Sequence, residues 1–261
     1  GTYQASTGQT SCTDASAGYY VSTTAAASQT ACAAGTYNVN TGSTSSAACI
    51  DTDAGHYSSA GSASQTACAA GTYQPSTGQP SCTDASAGYY VSSTAATSQI
   101  ACAAGTYNPN TGSTTSTACI DTAAGYYTAS PGSGSQTACS AGTYQPGTGQ
   151  TSCTDASAGY YVSSTAATSQ TACSPGTYQA NTGWTSCINA LAGFYVPNAA
   201  AITQTACPAG TYNPDIGQSS CTDASAGYYV SSTAATSQTA CAAGTYQAST
   251  GQTSCTDASA G

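Results

Sequence analysis

Apolar side chains are scattered along this chain one or two at a time, and no stretch has the three-and-four spacing of an amphipathic helix. What recurs is an aromatic ring. Tyrosines at positions 3, 20, 37, 57, 73, 90, 107, 127, 144, 161, 178, 195, 212, 229 and 246 stand mostly 17 residues apart, each two positions after a glycine. The spacers between them, such as TYQPSTGQPS and TYNPNTGSTT, are built of Pro, Asn, Ser, Thr and Gly, which form turns. A glycine two residues before each ring marks a tight turn or a close backbone approach. The pattern predicts short strands joined by turns, with little or no helix.

Cysteine adds a second beat. The gaps between successive cysteines run 20, 17, 19, 14, 20, 17, 20 and then 14 and 20 in alternation, and from Cys119 onward the period holds at 34. The unit is therefore about 17 residues, paired into a 34-residue double repeat, and residues 1–261 read as one continuous tandem array of about fifteen units. In one kind of unit the pattern is C-x2-G-x-Y followed by a spacer and a second Cys, as from Cys139 to Cys153. In the other kind both positions lack cysteine. The places are filled by Ala15/Gln29, Thr52/Gln65, Ala85/Gln99, Thr122/Gln136, Ala156/Gln170, Ala190/Gln204 and Ala224/Gln238. Residues 1–18 repeat as 244–261, so the chain is expected to be a segment of a longer repetitive polypeptide.

Two cysteines that form one bridge tend to be lost together, because losing one strands the other. The cysteine-free units thus suggest a pairing inside the remaining units: Cys32–Cys49, Cys68–Cys82, Cys102–Cys119, Cys139–Cys153, Cys173–Cys187, Cys207–Cys221 and Cys241–Cys255, with Cys12 left over. The rival scheme that begins Cys12–Cys32 also leaves one cysteine over, so counting does not separate the two.

Composition explains why such staples are needed. Leu, Ile, Val and Phe together number fourteen in 261 residues, far too few for one aliphatic core. A bridge closing a loop of about 15 residues is worth about 3 kcal/mol. Buried and stacked rings add about 0.5–1.5 kcal/mol per pair beyond their area. A core column is expected from Tyr20, Tyr37, Tyr73, Tyr90, Tyr107, Tyr127, Tyr144, Tyr161, Tyr178, Tyr195, Tyr212 and Tyr229. Single units are too small to fold alone, so neighbours supply their packing. The expected fold is mostly β and irregular: an elongated, solenoid-like, disulfide-stapled repeat rod.

The motif Cys207-Pro208-Ala209-Gly210-Thr211-Tyr212, with Gly217 and Cys221 after it, resembles the extracellular cysteine-rich repeats called ephrin-receptor-like or GCC2/GCC3 repeats, which are similar to the first module of tumour necrosis factor receptor domains. The resemblance runs through nearly the whole chain. It implies secreted, elongated, disulfide-bonded modules and favours the pairing within units. The sequence departs from the family at every second unit, where Ala or Thr and Gln replace cysteine.

Charge removes other classes. There is no Lys or Arg, and the formal charge is −9, so phosphate neutralisation and nucleic-acid binding are not expected. No apolar run reaches the ~20 residues of a membrane span, so no membrane insertion is expected in this segment. One His and scattered Asp make an enzyme a poor reading, and neither cofactor nor metal is expected. The recurring Asp14, Asp84, Asp155, Asp223 and Asp257 read as turn caps, His56 and Phe194 as variants of a tyrosine row, and Trp184 as isolated. Cysteine density places the chain in an oxidising, extracellular or cell-surface setting.

Segments such as Ser163–Ser169 are mucin-like. They make Ser93, Thr94, Thr97, Ser164, Thr165, Thr168, Ser232, Thr233 and Thr236 candidates for O-glycosylation, while no Asn-x-Ser/Thr sequon occurs. The expected function is structural: an extracellular fibre-forming repeat protein of a filament, surface appendage, sheath or flagellar hair. Its partners would be copies of itself, joined end to end, and covalent O-glycans. A stalk of an adhesin or receptor-like ectodomain is the alternative, and an ice-binding solenoid a minor one, since the Thr positions drift between units (Thr23, Ser58, Thr94, Thr128).

Overall fold

The computed structural model describes residues 1–259. Among them there is no α-helix, and the strands are two residues long and pair with each other as antiparallel hairpins, one per repeat, with one isolated parallel bridge between Tyr37 and Ser62. Two 3-10 turns, Ser46–Ala48 and Ser116–Ala118, occupy the two longer units. The fold is thus the helix-poor, strand-and-turn, disulfide-stapled repeat that the sequence predicts.

One double repeat shows how the residues build it. Thr143–Tyr144 pairs with Thr154–Asp155, and then Tyr160–Tyr161 pairs with Thr171–Ala172. A tight turn launches each first strand. In the first hairpin the Thr143 amide donates to the Ser140 carbonyl at 3.0 Å, and Gly142 holds the third place of that turn at φ +90°. This is a type II turn, which requires a positive φ there. The Thr143 hydroxyl donates to the same carbonyl at 2.8 Å and ties the turn a second time.

The chain groups into two compact units. One comprises residues 1–122 and 128–136, the other 123–127 and 137–261. Within the second, three backbone bonds join each repeat to the next. Gly142 N–H donates to Val162 O (2.8 Å), Gln145 N–H to Ala167 O (3.0 Å), and Ala166 N–H back to Cys139 O (2.8 Å). The first unit repeats the set: Gly71 to Val91 O (2.8 Å), Gln74 to Ala96 O (3.0 Å) and Ala95 to Cys68 O (2.8 Å). The glycine also touches the repeat two ahead. A Cβ on Gly142 would lie 2.3 Å from Gly183 O, so no side chain fits.

The interior is thin and is not aromatic. Its rows are the opening residue of each repeat (Cys139, Ala156, Cys173, Ala190) and the residue after each tyrosine (Gln145, Val162, Gln179, Val196), all buried. The tyrosines expected as a core column, from Tyr20 and Tyr37 through Tyr73, Tyr90, Tyr107, Tyr127, Tyr144, Tyr161, Tyr178, Tyr195 and Tyr212 to Tyr229, are instead half-buried, and none belongs to the buried core. The reason lies in the hairpin. Tyr144 stands opposite Thr154, which is exposed, on a sheet only two strands wide. The space between stacked repeats accommodates Ala, Cys, Val or a folded-back amide, while a phenol at the hairpin face keeps its hydroxyl near water.

Candidate functional site

Each repeat is a loop whose neck must be closed, and the chain closes it in two ways. In the cysteine-bearing repeats the neck is a disulfide: Cys32–Cys49, Cys68–Cys82, Cys102–Cys119, Cys139–Cys153, Cys173–Cys187, Cys207–Cys221 and Cys241–Cys255. The opening cysteine is buried from Cys32 to Cys207, and the closing one is half-buried. Cys12 is exposed and unbridged.

In the other repeats a glutamine takes the place of the closing cysteine and spans the neck by a hydrogen bond. Gln170 Oε1 accepts from Ser157 N–H at 2.6 Å, just after the buried Ala156. The same bond joins Gln29 to Ser16 (2.7 Å), Gln99 to Ser86 (2.7 Å), Gln204 to Leu191 (2.7 Å) and Gln238 to Ser225 (2.6 Å). At the repeat that is one residue shorter, Gln65 accepts from Asp53 N–H at 2.7 Å and donates to the Asp53 carboxylate at 2.6 Å. Sequence reasoning identified these glutamines only as replacements for cysteine. The signal was present: an amide, and no other side chain, fills each vacated closing position.

A second set of amides lies inside the disulfide loops. Gln179 is fully buried; its Nε2 donates to Ser186 O at 3.0 Å, and its Oε1 accepts from Asn181 N–H at 3.2 Å. Asn108 donates to Tyr89 O (2.9 Å) and to Ser113 Oγ (2.9 Å), linking its own loop to the preceding repeat. Among the described residues no buried side-chain polar atom lacks a partner. Polar residues can therefore fill a core position, because their hydrogen bonds offset the cost of leaving water.

The outer surface carries the remaining candidates. Ser93, Thr94, Thr97, Ser164, Thr165, Thr168, Ser232, Thr233 and Thr236 are all exposed, on the loops of cysteine-free repeats. Each such loop passes through an alanine in the left-handed region, Ala95 (φ 54°), Ala166 (φ 54°) and Ala234 (φ 56°) respectively. One row of Thr and Ile does not drift: Thr137, Thr154, Thr171, Ile188, Thr205 and Thr222 are exposed at equivalent positions. His56 is half-buried in the tyrosine row, with Nδ1 3.3 Å from Ala54 O, and Phe194 occupies the same row.

The recurring aspartates lie beside the loop glycine of a later repeat. The carboxyl carbon of Asp155 is 3.6 Å from where a Gly183 Cβ would stand, and that of Asp223 is 3.6 Å from the Gly251 position. Among the described residues no three His, Cys, Asp or Glu side chains gather as metal ligands, and no helix is long and apolar enough to cross a membrane.

Residues 193–241 match the family model described as tyrosine-protein kinase ephrin type A/B receptor-like. The matched stretch begins at the turn glycine of a Gln-closed repeat, contains the complete Cys207–Cys221 loop and the next Gln-closed repeat, and ends on Cys241. No curated protein matches the chain.

Proposed function

We propose that this chain, whose disulfide-stapled units match ephrin-receptor-like cysteine-rich repeats of the non-catalytic, extracellular type, is the repetitive body of an extracellular fibre. The observation that carries the reading is the bonding between repeats. Every repeat offers its neighbour the same donors and acceptors, such as Gly142 N–H to Val162 O and Gly159 N–H to Gln179 O (2.7 Å). A contact of this head-to-tail kind does not close on itself, so it propagates. Copies of the chain are its partners along the fibre. The exposed hydroxyls of Ser164, Thr165, Thr168 and their equivalents carry O-glycans, which keep a repeat array without cations soluble. Electron microscopy of the native material tests both points. Fibres with added density at Ser and Thr are expected, and smooth soluble monomers of unmodified mass would refute them.

A second reading makes the same array the stalk of an adhesin or receptor-like ectodomain. The ephrin-receptor-like match favours it. A globular binding domain encoded beside the repeats would decide for the stalk. An ice-binding face is the least favoured reading; it would use the exposed Thr and Ile row, and a thermal-hysteresis measurement would detect it.

A further inference from the structure

The array repeats one surface contact at level after level, and at a single level three residues change together. At four levels where a cysteine-free repeat meets the loop of the repeat after it, the sequence reads Asp-Ala-Ser against Thr-Gly, and at the level of Thr52 it reads Asp-Thr-Asp against Thr-Gly. Asp14-Ala15-Ser16 faces Thr41-Gly42, and Asp223-Ala224-Ser225 faces Thr250-Gly251. The contact is made by a backbone bond from the loop glycine to the central alanine, Gly42 N–H to Ala15 O and Gly251 N–H to Ala224 O, both at 2.8 Å.

At the level of Ala190 the same backbone bond forms, Gly217 N–H to Ala190 O at 2.8 Å, but the surroundings differ. Asn189 replaces the aspartate, Leu191 the serine and Ile216 the threonine. Asn189 Cγ lies 3.7 Å from the position of a Gly217 Cβ. Residues 25 apart in the chain, Leu191 and Ile216, are thus placed on one flank, 55% and 58% exposed. Leu191 is the only leucine of the chain. Polar and charged groups have been exchanged for aliphatic ones at a place where burial within the chain gives no reason for it.

We infer that this flank is a lateral contact between two copies of the chain, patch against patch. The inference rests on the fibre reading and deepens it by adding a contact across the fibre to the one along it. Charge selects the partner. The chain carries nine carboxylates and no cation, so two copies repel wherever aspartates face each other. Residues 156–214 contain no charged side chain, and the aspartate row is interrupted only at Asn189. In this stretch, the longest in the chain without a charge, one acidic chain can approach another with aliphatic groups foremost. Asp215, one residue before Ile216, leaves a carboxylate at the rim, so salt should strengthen the pairing. A single small patch binds weakly, but in a fibre it recurs on every copy, and multivalency makes weak contacts sufficient.

The test is sedimentation velocity of the full chain against the triple variant Asn189→Asp/Leu191→Ser/Ile216→Thr. That variant restores the sequence with which four other levels fold, so a folding failure is not expected. Wild type should self-associate more strongly as salt is raised, and the variant should associate about tenfold more weakly or not at all. Equal association of both chains, or a wild type that stays monomeric in high salt, overturns the inference. Association that weakens with salt also overturns it. Microscopy separates the two readings: single unbundled filaments defeat this contact and leave the fibre standing, whereas soluble pairs without filaments defeat the fibre alone.

Discussion

Gln170 and Ser157 are thirteen residues apart, and their 2.6 Å hydrogen bond closes a loop that the adjacent repeats close with Cys139–Cys153 and Cys173–Cys187. An amide acceptor on a flexible stem thus does the work of a covalent bridge in every second repeat. The two devices differ in strength. A disulfide over such a loop is worth about 3 kcal/mol, a hydrogen bond about 0.5–1.5. Stability should therefore alternate along the array.

Gln170→Ala removes the closing acceptor while leaving the buried Ala156 in place. Loss of about 0.5–1.5 kcal/mol locally corresponds to roughly two- to tenfold faster exchange at the Ser157 amide. Hydrogen exchange resolved to that repeat checks it. Unchanged protection at Ser157 would mean that the bond contributes nothing.

Ala156→Cys with Gln170→Cys should form an eighth bridge. The flanking bridges span Cα–Cα distances of 5.7 Å at a separation of 14, and 156 and 170 have the same separation and equivalent places. Net of the hydrogen bond that Gln170 gives up, the gain should be about 1.5–2.5 kcal/mol. A mass about 2 Da below that of the dithiol, with higher resistance to denaturant, is the expected outcome.

Much of this was legible before the structure. The 34-residue period, the short strands joined by turns and the glycine turns follow from Gly-x-Tyr and from Cys spacing, because turn chemistry is local, whereas the pairing of those strands into one hairpin per repeat was not predicted. The place of the tyrosines was not legible. Periodicity shows that Tyr144 and Tyr161 are equivalent, but it does not show which face of a two-residue strand turns inward. The buried row proved to be their neighbours Gln145 and Val162, and a glutamine in a core is invisible to a hydrophobic pattern. The backbone bond from Gly217 to Ala190, which sets Leu191 and Ile216 beside one junction, likewise depends on a contact between repeats that no spacing reports.

Backbone strain should respond in opposite directions at two different left-handed sites, a loop alanine and a turn glycine. Ala166 is held at φ 54°, which costs a residue with a Cβ about 1–2 kcal/mol. Ala166→Gly should therefore stabilise by about 0.5–1 kcal/mol after the entropy that glycine adds to the unfolded chain. Gly142→Ala meets both a φ of +90° and Gly183 O at 2.3 Å, and it should destabilise by more than about 3 kcal/mol. Urea unfolding followed by circular dichroism should rank the two variants on either side of wild type.

Reduction should dismantle the molecule, including the repeats that contain no cysteine. Before reduction, alkylation should modify one thiol, Cys12, since the other fourteen cysteines are bridged. Once the bridges open, each cysteine-bearing repeat loses about 3 kcal/mol of loop closure. Its buried residues, such as Gln145 and Gln179, offer little apolar area to compensate. The Gln-closed repeats then lose their stacking partners, because Val162 O and Ala167 O are paired to Gly142 and Gln145 of a reduced neighbour. Coupling between neighbours means that protection should vanish across the whole array and not in alternate stripes. Peptic hydrogen-exchange mapping, suited to a chain without Lys or Arg, reads this directly. Protection that persists at Ser157 and Ser225 after full reduction would show that the glutamine closures stand alone.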